Sequence, residues 1–213
     1  MGNVIEFQGV SKKFETLTID NVDLQIKEGY TTGFIGPNGS GKSTMIKLMM
    51  NLLQPDKGKV SVFGQNYASH EKEIKNRIGF VYDSNIFYQS LNLKEISKIV
   101  APAYKAWDDQ QFNQYVNQFE LPLNKSLKNF SKGMKMKASI AIALSHHAEL
   151  IIMDEPTSGL DPTFRRELLD IFQGIMVNEG RSIFFSTHTT SDLERFADYI
   201  VLVDKGKILL NQR

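Results

Sequence analysis

Gly36-Pro37-Asn38-Gly39-Ser40-Gly41-Lys42-Ser43-Thr44 is the stretch that decides the fold of this chain. It matches the pattern G-x-x-x-x-G-K-[ST], whose glycines allow backbone N–H groups to turn towards a bound phosphate chain. Residues 30–35 before it have the pattern of a strand, and residues 42–53 after it have the apolar spacing of a helix. Lys42 is expected to neutralise the β- and γ-phosphates, and the Ser43 hydroxyl to ligate Mg²⁺. All nine residues are therefore predicted to bind a nucleoside triphosphate.

This strand–loop–helix context makes a chance glycine-rich loop a poor explanation, because the helix also points its positive end at the phosphates. The motif alone does not distinguish kinases, GTPases and motor ATPases. The rest of the chain has to make that distinction.

Length and composition limit the alternatives. The chain has 213 residues, enough for one α/β domain with a smaller inserted subdomain. A net charge of +1 gives no support to a nucleic-acid-binding protein. The absence of cysteine excludes disulfides and thiolate metal sites, which fits a reducing cytoplasm. No apolar run approaches the roughly 20 residues that span a bilayer, so any membrane connection is expected through a partner.

The strand pattern predicts two β regions. Val22, Leu24 and Ile26 alternate with polar residues, as in a half-buried strand, and with a strand at residues 4–7 they predict an N-terminal antiparallel β layer. Further strands are predicted at residues 60–63, 78–82, 150–153, 183–186, 200–203 and 207–210, and a helix at residues 164–178. Strands that alternate with helices predict a mainly parallel core sheet.

The middle of the chain is mainly helical, from residue 85 to about residue 144, with breaks at Pro102, Pro122 and residues 129–131. We interpret it as an inserted helical subdomain at about residues 85–145. The predicted fold is therefore a single α/β domain of the P-loop NTPase type. Its RecA-like core and β layer would comprise residues 1–84 and 146–213.

Two adjacent acids, Asp154 and Glu155, follow the continuous apolar run at residues 150–153. Such a run is typical of a strand buried on both faces, and ligands bind at the carboxyl ends of parallel strands. Asp154 is expected to ligate Mg²⁺ directly or through water, and Glu155 to take a proton from the attacking water. The alternative, an acid pair that faces solvent, is disfavoured by the four apolar residues before it.

Three further features complete a family resemblance. Residues 158–161, Ser-Gly-Leu-Asp, follow Pro156 and Thr157, while His188 follows a predicted strand and Phe14 lies near the N-terminus. With these residues the chain resembles the ATP-binding cassette (ABC) family over nearly its whole length. The resemblance implies that residues 158–161 form the D-loop, that His188 is the switch histidine and that Phe14 stacks on adenine. Taken alone, His188 would more often be a surface or core residue.

The family's signature, usually Leu-Ser-Gly-Gly-Gln, is similar here to Phe130-Ser131-Lys132-Gly133-Met134. Ser131 and Gly133 are retained, and the resemblance implies that they bind the γ-phosphate of ATP on an opposite subunit. Ser131 also stands where the N-cap of a helix at residues 132–144 is expected, and a helix N-terminus favours an anion. Without the family order, a plain helix cap would be the better interpretation of Ser-x-Gly.

Asp83 is the clearest departure from the family, whose members usually place Gln after this strand to reach Mg²⁺. Some bacterial members that resemble this chain, particularly exporters of the ABC-2-like branch, carry an acid there. Asp83 is thus predicted to act at the metal, most simply through a bound water. The alternative is that it caps the next segment, because Ser84 and Asn85 follow it.

The resemblance implies an ATPase that uses ATP and Mg²⁺ and pairs head to tail with a second cassette, either a copy of itself or a different chain. It further implies integral membrane transporter subunits as partners, no nucleic acid, and a cytoplasmic position at the inner face of the membrane, with export favoured. One alternative is a soluble cassette ATPase, disfavoured because the chain has no room for tandem cassettes or a long coiled coil. The other is a regulatory ATP binder, disfavoured by Glu155 and His188.

Overall fold

The computed structural model describes residues 2–82 and 87–213, apart from the side chains of residues 178 and 179. The strands are β1 Asn3–Lys13, β2 Thr18–Lys27, β3 Thr31–Ile35, β4 Lys57–Val62, β5 Gln65–Asn66, β6 Ile78–Val81, β7 Leu150–Met153, β8 Ser182–Thr187, β9 Tyr199–Asp204 and β10 Lys207–Gln212. The helices are α1 Lys42–Met49, α2 Tyr67–Asn76, α3 Leu93–Val100, α4 Asp109–Gln118, α5 Lys132–Leu144, α6 Pro162–Glu179 and α7 Thr190–Phe196. Short 3₁₀ turns lie at Ala101–Ala103 and Leu127–Asn129.

The described strands form two sheets. One has the order β2-β1-β4-β5 and is antiparallel. The other has the order β10-β9-β3-β8-β7-β6, and only the edge strand β10 is antiparallel to its neighbour. This architecture confirms the predicted α/β fold with its antiparallel layer and mainly parallel core sheet.

Helix α1 is shorter than predicted, because it ends at Met49 and not at Leu53. Asn51 has a positive φ of 54°, and the N–H groups of Asn51 and Leu52 bond back to the carbonyls of Leu48 and Lys47. This is the Schellman pattern that ends helices at a left-handed residue. The prediction was wrong here because the apolar Leu52 continues the helical spacing, although its side chain is 53% exposed.

The middle segment packs directly on the core sheet. At Gly79 on β6, a Cβ atom would lie 2.6 Å from the backbone oxygen of Ala143 on α5, so only glycine allows this approach. The buried side chains of α3, α4 and α5 share one apolar core with β7 and α6. Because the second half of α5 belongs to this shared core, the packing does not mark where a helical subdomain would end. The subdomain limits of about residues 85–145 therefore remain a prediction.

Parallel pairing brings the carboxyl ends of the central strands to one edge. Ile35 at the end of β3 pairs with Thr187 on β8, and Met153 at the end of β7 pairs with Phe185 on β8. The segments that follow these three strands therefore meet. They carry the glycine-rich loop, the acid pair and His188.

Candidate functional site

The glycine-rich loop connects β3 to α1 and surrounds the Lys42 side chain. Gly39 and Gly41 have φ angles of 80° and 107°, a region that favours glycine. The Lys42 ammonium is 6% exposed and donates to the carbonyl oxygens of Gly36, at 2.8 Å, and Pro37, at 3.2 Å. The loop thus holds a buried cation at the start of a helix, where an anion is stabilised.

The back of this loop rests on the turn between β9 and β10. The backbone N–H of Gly206 donates to the Ser40 carbonyl at 2.8 Å. A Cβ atom on Gly36 would lie 2.2 Å from the Val203 carbonyl oxygen. The loop conformation is therefore fixed from behind by backbone atoms, whereas Pro37, Asn38 and Gly39 are exposed in front.

The acid pair extends from β7 towards this loop. Ser186 on β8 donates its hydroxyl to Asp154 Oδ1 at 2.6 Å and accepts from the Glu155 N–H at 2.9 Å. Glu155 has a positive φ of 48°, which is uncommon for a residue with a side chain. Its Oε1 lies 3.5 Å from Lys42 Nζ. The structure thus places the Glu155 carboxylate beside Lys42, the lysine of the phosphate motif.

His188 completes this arrangement from the end of β8. Its Nδ1 lies 2.5 Å from Glu155 Oε2, and the two side chains are 50% and 19% exposed. Lys42, Glu155 and His188 therefore form one contiguous cluster beside the phosphate loop. Such a cluster can hold a proton-accepting carboxylate next to a phosphate-binding cation.

The oxygen donors near the loop suit a hard cation. Ser43 is an exposed residue in the first turn of α1. Within residues 2–82 and 87–213, Asp154 is bonded through Oδ1 to Ser186, and no hydrogen bond uses its Oδ2. A hydroxyl and a carboxylate are the ligands that Mg²⁺ takes beside substrate phosphates. Asp83, the third predicted metal residue, lies outside the described residues. The last described strand before it, β6, ends beside Asp154, whose N–H donates to the Val81 carbonyl at 3.1 Å.

Ser131 and Gly133 lie apart from this cluster. The Ser131 hydroxyl caps α5 by accepting from the Met134 N–H at 3.1 Å, and Ser131 is exposed. A Cβ atom on Gly133 would lie 3.0 Å from the Phe164 ring. Among the described residues, none of the hydrogen bonds or ion pairs joins either residue to the phosphate loop of the same chain.

Lys132 links this signature segment to residues 158–161. Its ammonium donates to the Ser158 carbonyl at 2.5 Å. A Cβ atom on Gly159, where φ is 63°, would lie 2.6 Å from that ammonium. The lysine that departs from the usual family sequence therefore fixes the segment's position against residues 158–161 within one chain.

Phe14 lies just beyond β1, in a turn closed by the bond from its N–H to the Leu17 carbonyl at 2.8 Å. Its ring is 39% exposed, which leaves a face for stacking. The Leu17 side chain lies 3.5 Å from the position that a Cβ atom on Gly41 would occupy. The turn therefore borders the N-terminus of α1.

Sequence reasoning missed a set of buried polar contacts centred on Asp192, next to the segments that carry Glu155 and His188. Asp192 on α7 is 1% exposed and binds Thr157, Thr187 and Arg165. No sequence signal distinguishes it, because an acid in the first turn of a helix is ordinary.

Comparison with known proteins identifies the family. Residues 19–158 match the model of the ABC transporter family. The chain belongs to the ABC transporter family. It is an ATP-binding and ATP-hydrolysing subunit of such a transporter.

Similar proteins agree with this assignment. The bacitracin transport ATP-binding protein BcrA of Bacillus licheniformis is 33% identical over 98% of this chain and 69% of its own length. The lantibiotic transport ATP-binding protein SrtF of Streptococcus pyogenes is 31% identical over 98% of this chain and 90% of its own length. A solved ATP-binding subunit of an ABC transporter superposes with a TM-score of 0.86 and 28% identity, covering 98% of this chain and 89% of its own. None of the helices in the described ranges is long and apolar enough to cross a membrane.

Proposed function

We propose that this ABC ATPase drives an exporter, and that Glu155 is its general base. The observation that carries the proposal is the position of the Glu155 carboxylate between Lys42, at 3.5 Å, and His188, at 2.5 Å. Lys42 would neutralise the β- and γ-phosphates of ATP, whose adenine stacks on Phe14. Glu155 would accept a proton from the attacking water, and His188 would steady the γ-phosphate and orient Glu155.

Mg²⁺ is the metal that fits this site. Ser43 and Asp154 would hold it, with Asp83 acting through a bound water. When bound, the cation would neutralise negative charge that develops on the phosphates during transfer. The Ser186 hydroxyl supports this role, because its bond to Asp154 Oδ1 fixes the carboxylate in one orientation.

A second cassette is the proposed partner at the nucleotide. Ser131 is the N-cap of the 13-residue helix α5 and is exposed, and Gly133 is the second residue of that helix. Free backbone N–H groups and the helix dipole at this end favour an anion. Within the described part, no hydrogen bond or ion pair joins either residue to the phosphate loop of its own chain. We infer that they bind the γ-phosphate held by the partner. The partner is a second copy of this chain or a similar cassette.

Membrane subunits are the proposed partners at an apolar groove between the segment after α1, strand β6 and helices α3 and α5. The groove has a volume of about 450 Å³ and includes Leu52, Phe80, Tyr104 and Ile99. Leu52 and Ile99 are 53% and 62% exposed, so the groove presents apolar surface to solvent. A short amphipathic helix from a membrane subunit fits such a groove. This contact would hold the chain at the inner face of the membrane and transmit the movements of the helical segment, about residues 85–145.

Export of peptide antibiotics is the proposed task. It is supported by the relatives named for bacitracin and lantibiotic transport, which are 33% and 31% identical to this chain. Cargo contacts are expected on the membrane subunits, since fold and ATPase site do not select a substrate.

The decisive experiment is Glu155→Gln, which removes the proton acceptor but keeps the side-chain size. We expect ATP binding to persist and hydrolysis to fall at least about a hundredfold, the lower range for loss of a general base. Glu149→Gln is the matched control, because Glu149 precedes the same strand β7 at its opposite end and pairs with Arg77. Turnover near wild type in Glu155→Gln would refute the assignment.

The same variant tests the paired assembly. Without hydrolysis ATP should hold two chains together, so light scattering of Glu155→Gln should show a two-chain species with ATP and one chain without nucleotide. For the wild type, ATPase activity per chain should rise with protein concentration. Activity per chain that stays flat down to monomeric concentrations would exclude a site shared between chains.

A further inference from the structure

Asp192 is a buried carboxylate that joins three separate segments. It lies in the first turn of α7 and is 1% exposed. Its Oδ2 accepts from the hydroxyls of Thr157, at 2.8 Å, and Thr187, at 3.1 Å. Its Oδ1 accepts from Arg165 Nε at 2.7 Å. We call these four residues the Asp192 cluster.

Each partner of Asp192 lies on a segment that carries part of the proposed ATPase site. Thr157 is two residues after Glu155, and Thr187 immediately precedes His188. The Thr187 hydroxyl also accepts from the Thr189 N–H at 3.1 Å, so a hydrogen bond joins the residues on either side of His188. Arg165 is in the first turn of α6, directly after residues 158–161. Asp192 therefore ties together the segments that carry the proposed base, the histidine and the D-loop.

Stability alone explains this cluster poorly. Desolvating a carboxylate is costly, and an ion pair such as Asp192 with Arg165 often does no more than offset that cost. What the contacts do supply is geometry. Glu155 has a φ of 48°, a conformation that persists in a non-glycine residue only when the surrounding structure imposes it. The bonds of Thr157 and Ser186 on either side of Glu155 provide that restraint.

We propose that Asp192 is a positioning residue for ATP hydrolysis. It holds Glu155, after the end of β7, and His188, after the end of β8, in fixed positions relative to each other. The inference rests on the proposed role of Glu155. Asp192 acts only through its neighbours, because in the part of the chain that the structure describes its side chain bonds to Thr157, Thr187 and Arg165 and not to the phosphate loop. Its loss should therefore slow the chemical step and leave ATP binding intact.

The test is Asp192→Asn, which keeps the size of the side chain but replaces one acceptor oxygen with an NH₂ group. That group cannot accept from Arg165 or from a threonine hydroxyl. A misplacement of about 1 Å at a catalytic group costs on the order of a hundredfold in rate. We expect kcat to fall about tenfold or more, with ATP affinity within about twofold of wild type. Glu194→Gln is the control, because Glu194 is exposed on the same helix and should keep wild-type kcat.

A double-mutant cycle with Glu155→Gln separates positioning from general weakening. If Asp192 acts through Glu155, adding Asp192→Asn to Glu155→Gln should lower the residual rate far less than it lowers the wild-type rate. Equal fold losses in both backgrounds would overturn the proposal, as would wild-type kcat in Asp192→Asn. A Glu155→Gln variant with near wild-type turnover would instead refute the role of Glu155 itself.

Thr157→Val provides a second route if Asp192→Asn does not fold. It removes one hydroxyl that binds Asp192 and keeps the branched shape of the side chain. We expect a smaller kcat loss of about threefold to tenfold, again with unchanged ATP affinity. Wild-type kcat in folded Thr157→Val would overturn the proposal.

Discussion

His146 should make this protein lose stability in mild acid. Its ring is 1% exposed and stacks on Tyr104 at a centroid distance of 3.8 Å. Nδ1 lies 3.2 Å from the Asn76 carbonyl oxygen, whereas Nε2 is buried with no hydrogen-bond partner in the described part of the chain. A proton added to the ring would therefore be poorly solvated. Burial lowers the pKa of His146 from 6.5 to about 4, and the hydrogen bond with the Asn76 carbonyl opposes part of this shift. The nearby side chains of Arg181 and His147 lower the pKa by smaller amounts.

The direction and size of the effect follow from this pKa. The unfolded chain takes up a proton on His146 below pH 6.5, and the folded chain does so only near pH 4. The stabilisation that depends on neutral His146 is therefore complete above pH 6.5 and is lost as the pH falls towards 4. At 1.36 kcal/mol per pH unit, the loss reaches about 2 kcal/mol at pH 5 and about 3 kcal/mol near pH 4.

Urea unfolding of the nucleotide-free protein at pH 7 and pH 5 measures this loss. His146→Gln should be less stable at pH 7, because stacking on Tyr104 is removed. Its free energy of unfolding should nevertheless change about 2 kcal/mol less between the two pH values than that of the wild type. Parallel pH dependences for wild type and His146→Gln would refute the reasoning.

Two further predictions concern the nucleotide site. Gly36→Ala would place a Cβ atom 2.2 Å from the Val203 carbonyl oxygen, so the phosphate loop must shift. ATP affinity should therefore fall at least about tenfold in a direct binding assay. Gly174→Ala is the control and should bind ATP normally, because a Cβ atom there meets nothing within 4 Å. If Asp83 acts at the metal, Asp83→Asn should raise the Mg²⁺ concentration for half-maximal hydrolysis and Asp83→Gln should restore a family-like response, whereas superimposable Mg²⁺ curves would exclude that role.

Local sequence predicted the parts of the site that depend on short-range patterns. The phosphate loop follows from its glycine spacing, and the β7 strand follows from four consecutive apolar residues before Asp154. Ser131 was predicted as an N-cap, and its hydroxyl does accept from the Met134 N–H. These features need only neighbours a few residues apart, and so one sequence suffices to predict them.

Features that depend on distant contacts were not predicted. Helix α2 was missed because only Tyr67 and Ile74 among its residues are buried, which leaves a weak apolar period. The Asp192 cluster joins residues 157, 165, 187 and 192, and Thr157 and Asp192 are 35 positions apart. Burial of His146 likewise depends on Tyr104 and Asn76, which lie far away in sequence. Neither hydrophobic periodicity nor a short motif predicts contacts between residues that are so far apart in sequence.

The bond from the Gly206 N–H to the Ser40 carbonyl has a practical consequence. Gly206 has a φ of 76°, and a Cβ atom there would lie 2.1 Å from the Thr18 carbonyl oxygen, so its amide is locked between the phosphate loop and the antiparallel sheet. Exchange of this amide with deuterium requires the loop to move away. Mass spectrometry can therefore use the exchange rate of the Gly206 amide to measure how firmly the phosphate loop is held with and without nucleotide. It needs no label in the site and leaves every nucleotide-binding side chain untouched.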